Sequence, residues 1–102
     1  MIEVLSFKKS IEYSRGSIVS KQIIRKNIGT ITLFAFDEGQ SLSEHTTSFD
    51  ALLQVIDGEA EITIDKKIYI VQDGEMIILP ANIPHSVNAS KQFKMILTMI
   101  KE

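Results

Sequence analysis

The fold class that this sequence predicts is all-β, an antiparallel barrel or sandwich, on three observations. Apolar, β-branched and aromatic residues come in short runs. Glycine, aspartate and proline stand between those runs at regular spacing. No window of the central region keeps a helical period.

The elements follow in chain order. Phe7 to Ser17 has the weakest pattern: Tyr13-Ser14-Arg15-Gly16-Ser17 reads as a loop, and a short helical turn ahead of it is compatible with the residues. Thr30 to Phe36 mixes β-branched and aromatic residues and stops at Asp37-Glu38-Gly39. Ala51 to Ile56 is a mostly apolar run ending at Asp57-Gly58, a strong hairpin signal because the glycine tolerates positive φ. After it Ala60, Ile62 and Ile64 alternate with Glu59, Glu61 and Thr63, the period of two expected of a half-buried strand. Asp65-Lys66-Lys67 makes the next turn, and Ile68 to Val71 runs to a second Asp-Gly pair, Asp73-Gly74. Met76 to Leu79 is broken by Pro80, which lacks the N–H that a strand ladder needs. The last run spans Phe93 to Ile100. Continuous apolar runs such as Ala51 to Ile56 suggest strands covered on both faces, as a two-sheet roll provides. Leu53, Val55 and Val87, with Met76, Met95 and Met99, are expected to fill the interior.

At 102 residues the chain has room for one core, so a single domain over 1–102 is expected. An apolar fraction of 44% with 24% charged residues is ordinary for a globular protein. The net charge is −2 and the basic residues are scattered, which argues against nucleic acid or an acidic membrane surface as partner. The absence of cysteine excludes disulfides, zinc–thiolate sites and cysteine nucleophiles. The opening residues have an early acid and no long apolar stretch, and no run is long enough to cross a bilayer, so a cytoplasmic location is expected.

The chain has only two histidines. His45 sits in the polar segment Ser43-Glu44-His45-Thr46-Thr47-Ser48, and His85 follows Ile83-Pro84. Neutral imidazole is the commonest metal ligand, and a barrel lets strands distant in sequence aim side chains at one point. A lone histidine near a strand end is more often a satisfied surface or core residue, so the frame around the pair matters more than the pair itself.

That frame resembles the cupin family. Gly39, five residues, His45 and then Gly58 after a strand is similar to its first motif (about 39–58). Gly74, five residues, Pro80, four residues and His85 is similar to its second (about 74–89). The run Asp50 to Ile62 looks like the strand-turn-strand that joins the motifs in single-domain bacterial cupins. The resemblance implies a double-stranded β-helix (a jelly-roll barrel) and a divalent metal, zinc, nickel, manganese or iron, held in the barrel. Carried over position by position, it makes His45 the first metal histidine and His85 the last. Thr47 stands at the second histidine position and Ala51 at the glutamate position. Asn82 takes a glycine position, where asparagine can still adopt a left-handed turn, and Ala89 takes an asparagine position.

Two protein ligands fall short of the three usual in catalytic zinc and non-haem iron sites. No obvious replacement is present: strand alternation turns Asp50 and Glu44 away, and Gln54 would enter only from an irregular strand. Thr47 shares the parity of His45, so its hydroxyl is expected in a pocket with His45 and His85.

The first reading is therefore a barrel that binds a small polar molecule, with a divalent metal at His45 and His85. The alternatives are a metal-dependent enzyme of dioxygenase, isomerase or lyase type, with no catalytic residue assigned, and an inert structural domain. Homodimerisation is expected, since so small a chain has apolar edges to cover.

Overall fold

The computed structural model describes residues 2–101, and among them there are strands and turns but no helix. The strands are β1 (Ile18–Lys26), β2 (Gly29–Phe36), β3 (Ser41–His45), β4 (Ala51–Ile64), β5 (Lys67–Gln72), β6 (Met76–Leu79), β7 (His85–Asn88) and β8 (Phe93–Ile100). Every pairing between them is antiparallel. This is the double-stranded β-helix that the motif frame implied.

β4 belongs to both sheets. Its first half pairs with β6 on one side and β8 on the other, and β8 continues to β2 and β1. Its second half pairs with β5 and with β7, and β7 continues to β3. The corner is Asp57-Gly58, where the register against β8 slips by one residue and Gly58 has φ +75°. The expected hairpin at Asp57-Gly58 is thus corrected. A positive-φ glycine serves a bulge as well as a turn, and here the strand bends and runs on, 14 residues long in all. The true hairpin of this region is at Asp65-Lys66, both at positive φ, as a two-residue turn that matches strand twist requires.

The interior follows the period of two. Leu53, Val55, Ile62, Val87 and Met95 are fully buried, and the rings of Phe36 and Phe93 stack at 4.5 Å. Met99 lies partly buried against this core. Met76 does not fill it: it is 68% exposed, because its partner Gln54 faces outward on β4. β1 is a further departure. Its residues are mostly exposed and a bulge places Ile23 and Ile24 side by side, so the apolar alternation that marks the other strands is lost.

The segment before β1 crosses the outer face of the first sheet as a strap, turning once at Ser10, where the sequence left room for a helical turn. Its Ile11 is buried with Leu33, Ala35 and Ile96 in a second, smaller cluster. Tyr13 Oη donates to Asp57 Oδ2 at 2.6 Å, and the Lys94 ammonium lies 5.0 Å from the centre of the Tyr13 ring. Partial burial, and then the Asp57 carboxylate, push the Tyr13 phenol well above its usual range.

Candidate functional site

The two histidines reach each other because β3 carries an irregularity. Ser41 pairs with Asn88 and Leu42 with Val87, and an even register would then set Glu44 opposite His85. One residue is passed over instead, and His45 pairs with His85. A bulge of this kind re-aims a side chain, and here it exchanges a carboxylate for an imidazole.

His85 is held by its neighbours. On its other side it pairs with Ile64 of β4, and the carbonyl of Pro84 accepts the Asp65 N–H at 2.9 Å. The Pro80–Pro84 turn depends on Asn82, which adopts the expected left-handed conformation at φ +63° and donates its N–H to the Thr47 carbonyl at 2.7 Å. The Ala81 N–H donates to Asp50 Oδ1 at 2.8 Å, so that carboxylate anchors the same turn from the strand end.

His85 is buried and His45 is exposed, so the pair sits at a mouth of the barrel with one ring facing solvent. The ring centres are 4.3 Å apart, inclined at 70°. His45 Nδ1 lies 2.8 Å from the Ser43 carbonyl and His85 Nδ1 lies 3.2 Å from the Ile83 carbonyl. A carbonyl only accepts, so the neutral tautomers that satisfy both contacts carry the hydrogen on Nδ1, and that assignment leaves a lone pair on each Nε2. Those two nitrogens face each other at 3.1 Å. Burial first, and then the charge His45 would carry, hold the His85 imidazole below the usual histidine range, against the pull of the Ile83 carbonyl.

Thr47 departs from the sequence expectation. β3 ends at His45, so strand parity does not extend to Thr47. Its hydroxyl donates to the Phe49 carbonyl at 2.9 Å, a bond within its own loop. Ala51 is buried at the start of β4 and offers only a methyl group. Among the described residues no three His, Asp or Glu side chains cluster as a metal site would need. None of the four surface depressions characterised is lined by His45, Thr47 or His85.

One polar group inside the barrel escaped the sequence reading. Thr30 is buried on β2 and its hydroxyl has no partner. It pairs with Met99, which pairs in turn with Ala51, so the hydroxyl lies in the cross-strand row of the position where the family's glutamate would stand. A lone threonine in a β-type run carries no signal that could have singled it out.

The histidines therefore fit one edge of a coordination shell and not the whole of it. At 3.1 Å apart, the two Nε2 atoms are close enough that His45 and His85 would both reach one divalent ion, with its remaining positions left to other donors.

The profile described as "Cupin domain" matches residues 32–101. Among solved structures, a conserved protein of unknown function from Streptococcus pyogenes is 32% identical over all of this chain and 90% of its own, with a TM-score of 0.95. A cupin 2 conserved barrel domain protein from Leptotrichia buccalis is 42% identical at a TM-score of 0.89, over 92% of this chain. The chain spans 46% of that protein's length. A cupin superfamily protein from Desulfitobacterium hafniense is 25% identical over the full chain and 94% of its own, at 0.94. No curated protein matches.

Proposed function

The chain belongs to the cupin domain family, and from that premise we propose that it is a small-molecule-binding barrel whose recognition centre is the His45–His85 pair. One observation carries this reading: the two Nε2 atoms face each other at 3.1 Å while each Nδ1 lies at hydrogen-bonding distance from a backbone carbonyl. Facing lone pairs repel unless something positive lies between them. A divalent cation is the species that two neutral imidazoles take best at neutral pH.

His45 and His85 would hold such an ion, which when bound supplies a positive centre for oxygen donors. The chain brings no carboxylate to complete the shell, since Ala51 offers only a methyl group and Glu44 is the residue passed over when His45 pairs with His85. The bound molecule completes it in this reading, which favours a small anion with two neighbouring oxygens, such as a hydroxy or keto acid. Binding rather than turnover is proposed, because no group beside the pair is placed as acid or base. The chain acts in this reading as one barrel over 1–102, as a homodimer, and in the cytoplasm; no helix of the described residues is long and apolar enough to cross a membrane.

The test is metal content of untagged protein purified without chelator, followed by calorimetric titration with zinc, nickel, manganese and iron(II), each with and without oxalate as a bidentate probe. The expected result is one ion per chain, bound more tightly with oxalate and lost in both His45→Ala and His85→Ala. No ion bound at millimolar metal with oxalate present would overturn the proposal.

A further inference from the structure

We infer that Arg25 grips a second carboxylate of the bound molecule, so that the ligand class at the histidines is a dicarboxylic acid with a 2-oxo or 2-hydroxy group. This rests on the preceding reading and names the ligand class of that same site.

The fold sets Arg25 beside the histidine pair although β1 is remote from both in sequence. Directly paired residues of an antiparallel ladder share a face. One such row on the first sheet runs from Arg25 on β1 through Thr30 and Met99 to Ala51 on β4. Thr30 stands at even spacing from Phe34 and Phe36, which pack in the interior, so the row faces inward. On the second sheet a row runs from Ile64 on β4 through His85 to His45.

These two rows lie across the barrel from each other. Ala51 and Ile64 stand almost equally far along β4 from its corner at Gly58, so the bend there brings one over the other. β5 runs into β6 through Asp73-Gly74-Glu75, which keeps both on one side of β4 and leaves β7 and β8 together on the other. Met99 therefore faces His85 and Thr30 faces His45, across the roughly 10 Å that separates packed sheets. β3 ends the second sheet, whereas the first continues by one more strand. Arg25 thus overhangs the open side of the site, about 5 Å beyond Thr30, on the side where His45 is exposed.

The surroundings suit an anion. Arg25 is exposed and has no ion pair among the described residues. Neither row contains an acid. Gln22 and Thr32 pair on the same face, so the interior, apolar around Phe34 and Phe36, turns polar at this end. Between Arg25 and Met99 the buried Thr30 hydroxyl has no partner, and an acid oxygen entering the row would supply its acceptor. An ion on the two imidazoles takes one carboxylate with its neighbouring oxygen. A five-carbon chain puts a second carboxylate about one strand spacing away, the step from Thr30 to Arg25. A planar guanidinium receives a carboxylate through two parallel hydrogen bonds.

Titration calorimetry of the full chain tests this, in the presence of the ion that the preceding titrations find bound most tightly. Two probes differ only at the far end, 2-oxopentanoate and 2-oxopentanedioate, and are titrated into the wild type, Arg25→Gln and, as control, Arg15→Gln. Circular dichroism checks that both variants, altered at exposed positions, stay folded. The expected result is that the diacid binds about tenfold more tightly than the monoacid to the wild type and to Arg15→Gln, and that the two bind alike to Arg25→Gln. Equal affinity of the two acids for the wild type would overturn the inference and leave the ion with its chelating ligand in place. A preference for the diacid that survives Arg25→Gln would overturn the role of Arg25. No ion bound in the preceding titrations would overturn the inference together with the reading beneath it.

Discussion

Replacing Gly58 by alanine tests the corner on which the barrel turns. Two costs add there. A residue with a Cβ held at φ +75° loses about 1–2 kcal/mol to its own backbone. The new methyl also meets backbone, driving into the Gln92 carbonyl oxygen and standing 3.1 Å from Phe93 Cα, atoms that cannot rotate aside as a side chain would. Relief requires opening the Gly58–Phe93 pairing, which risks one or two hydrogen bonds at roughly 1 kcal/mol each and unseats a ring stacked on Phe36. The sum is about 2–4 kcal/mol, a large share of the 5–15 kcal/mol that holds a domain of this size. Gly39→Ala is the matched control: φ is +87° there, but nothing lies within 4 Å of the added methyl, so only the backbone cost of about 1–2 kcal/mol remains. Urea unfolding followed by circular dichroism, at one fixed protein concentration, should separate the variants by about 1–2 kcal/mol. The thermal midpoint of Gly58→Ala should fall by roughly 15 °C. Equal losses in the two variants would show that the glycine serves only its dihedral angle, and the argument from close approach would fail.

Asn82→Gly should be tolerated within about 0.5 kcal/mol, whereas Asn82→Val should cost about 1–2 kcal/mol, because a β-branched residue resists the left-handed conformation; thermal melts of both decide it. Tyr13→Phe should cost about 1 kcal/mol by removing the bond to Asp57, and amide exchange should accelerate in the strap while the interior strands keep their protection. The proton affinity of His85 is lowered on folding. Its contribution is therefore fully present above the unfolded value near 6.5 and is lost as pH falls through the lower folded value, since the unfolded chain takes up a proton that the folded chain refuses. The urea midpoint of the wild type should drop between pH 7.5 and 5.5 by more than that of His85→Asn; equal drops would refute the assignment.

The sequence made much of this legible, for reasons that also show where it stops. β8 coincides with the run Phe93 to Ile100, and the turn at Asp65-Lys66 falls where strand alternation pauses, because in both places a local signal determines the local structure. The corner is not legible in the sequence, because an Asp-Gly pair announces only a positive φ. Whether the chain then reverses or bends depends on which strands stand beside it. β1 carries no such signal, because its bulge scrambles the alternation that betrays a strand. For the site, the spacing of Gly39, His45, Gly74, Pro80 and His85 brought the two imidazoles to one place on paper, and the register of β3 on β7 pairs them. The parity argument for Thr47 extends a strand beyond its end at His45, and the hydroxyl bonds within its own loop instead. The facing of the two Nε2 atoms had no sequence signal, since it follows from two backbone carbonyls and one bypassed residue.

The continuity of β4 has a consequence for how this barrel assembles. Four of the other strands, β5, β6, β7 and β8, take their pairing from it, and only its turn to β5 is local. The hairpins β4–β5 and β1–β2 can close early and quickly, but each remaining partner must be recruited across a long loop, which slows folding. Substitutions in the middle of β4 should accordingly retard folding, whereas those in β1 should mainly hasten unfolding. Because one strand threads both sheets, neither can come apart while the other persists, and the barrel should melt as a single cooperative unit with no half-sheet intermediate.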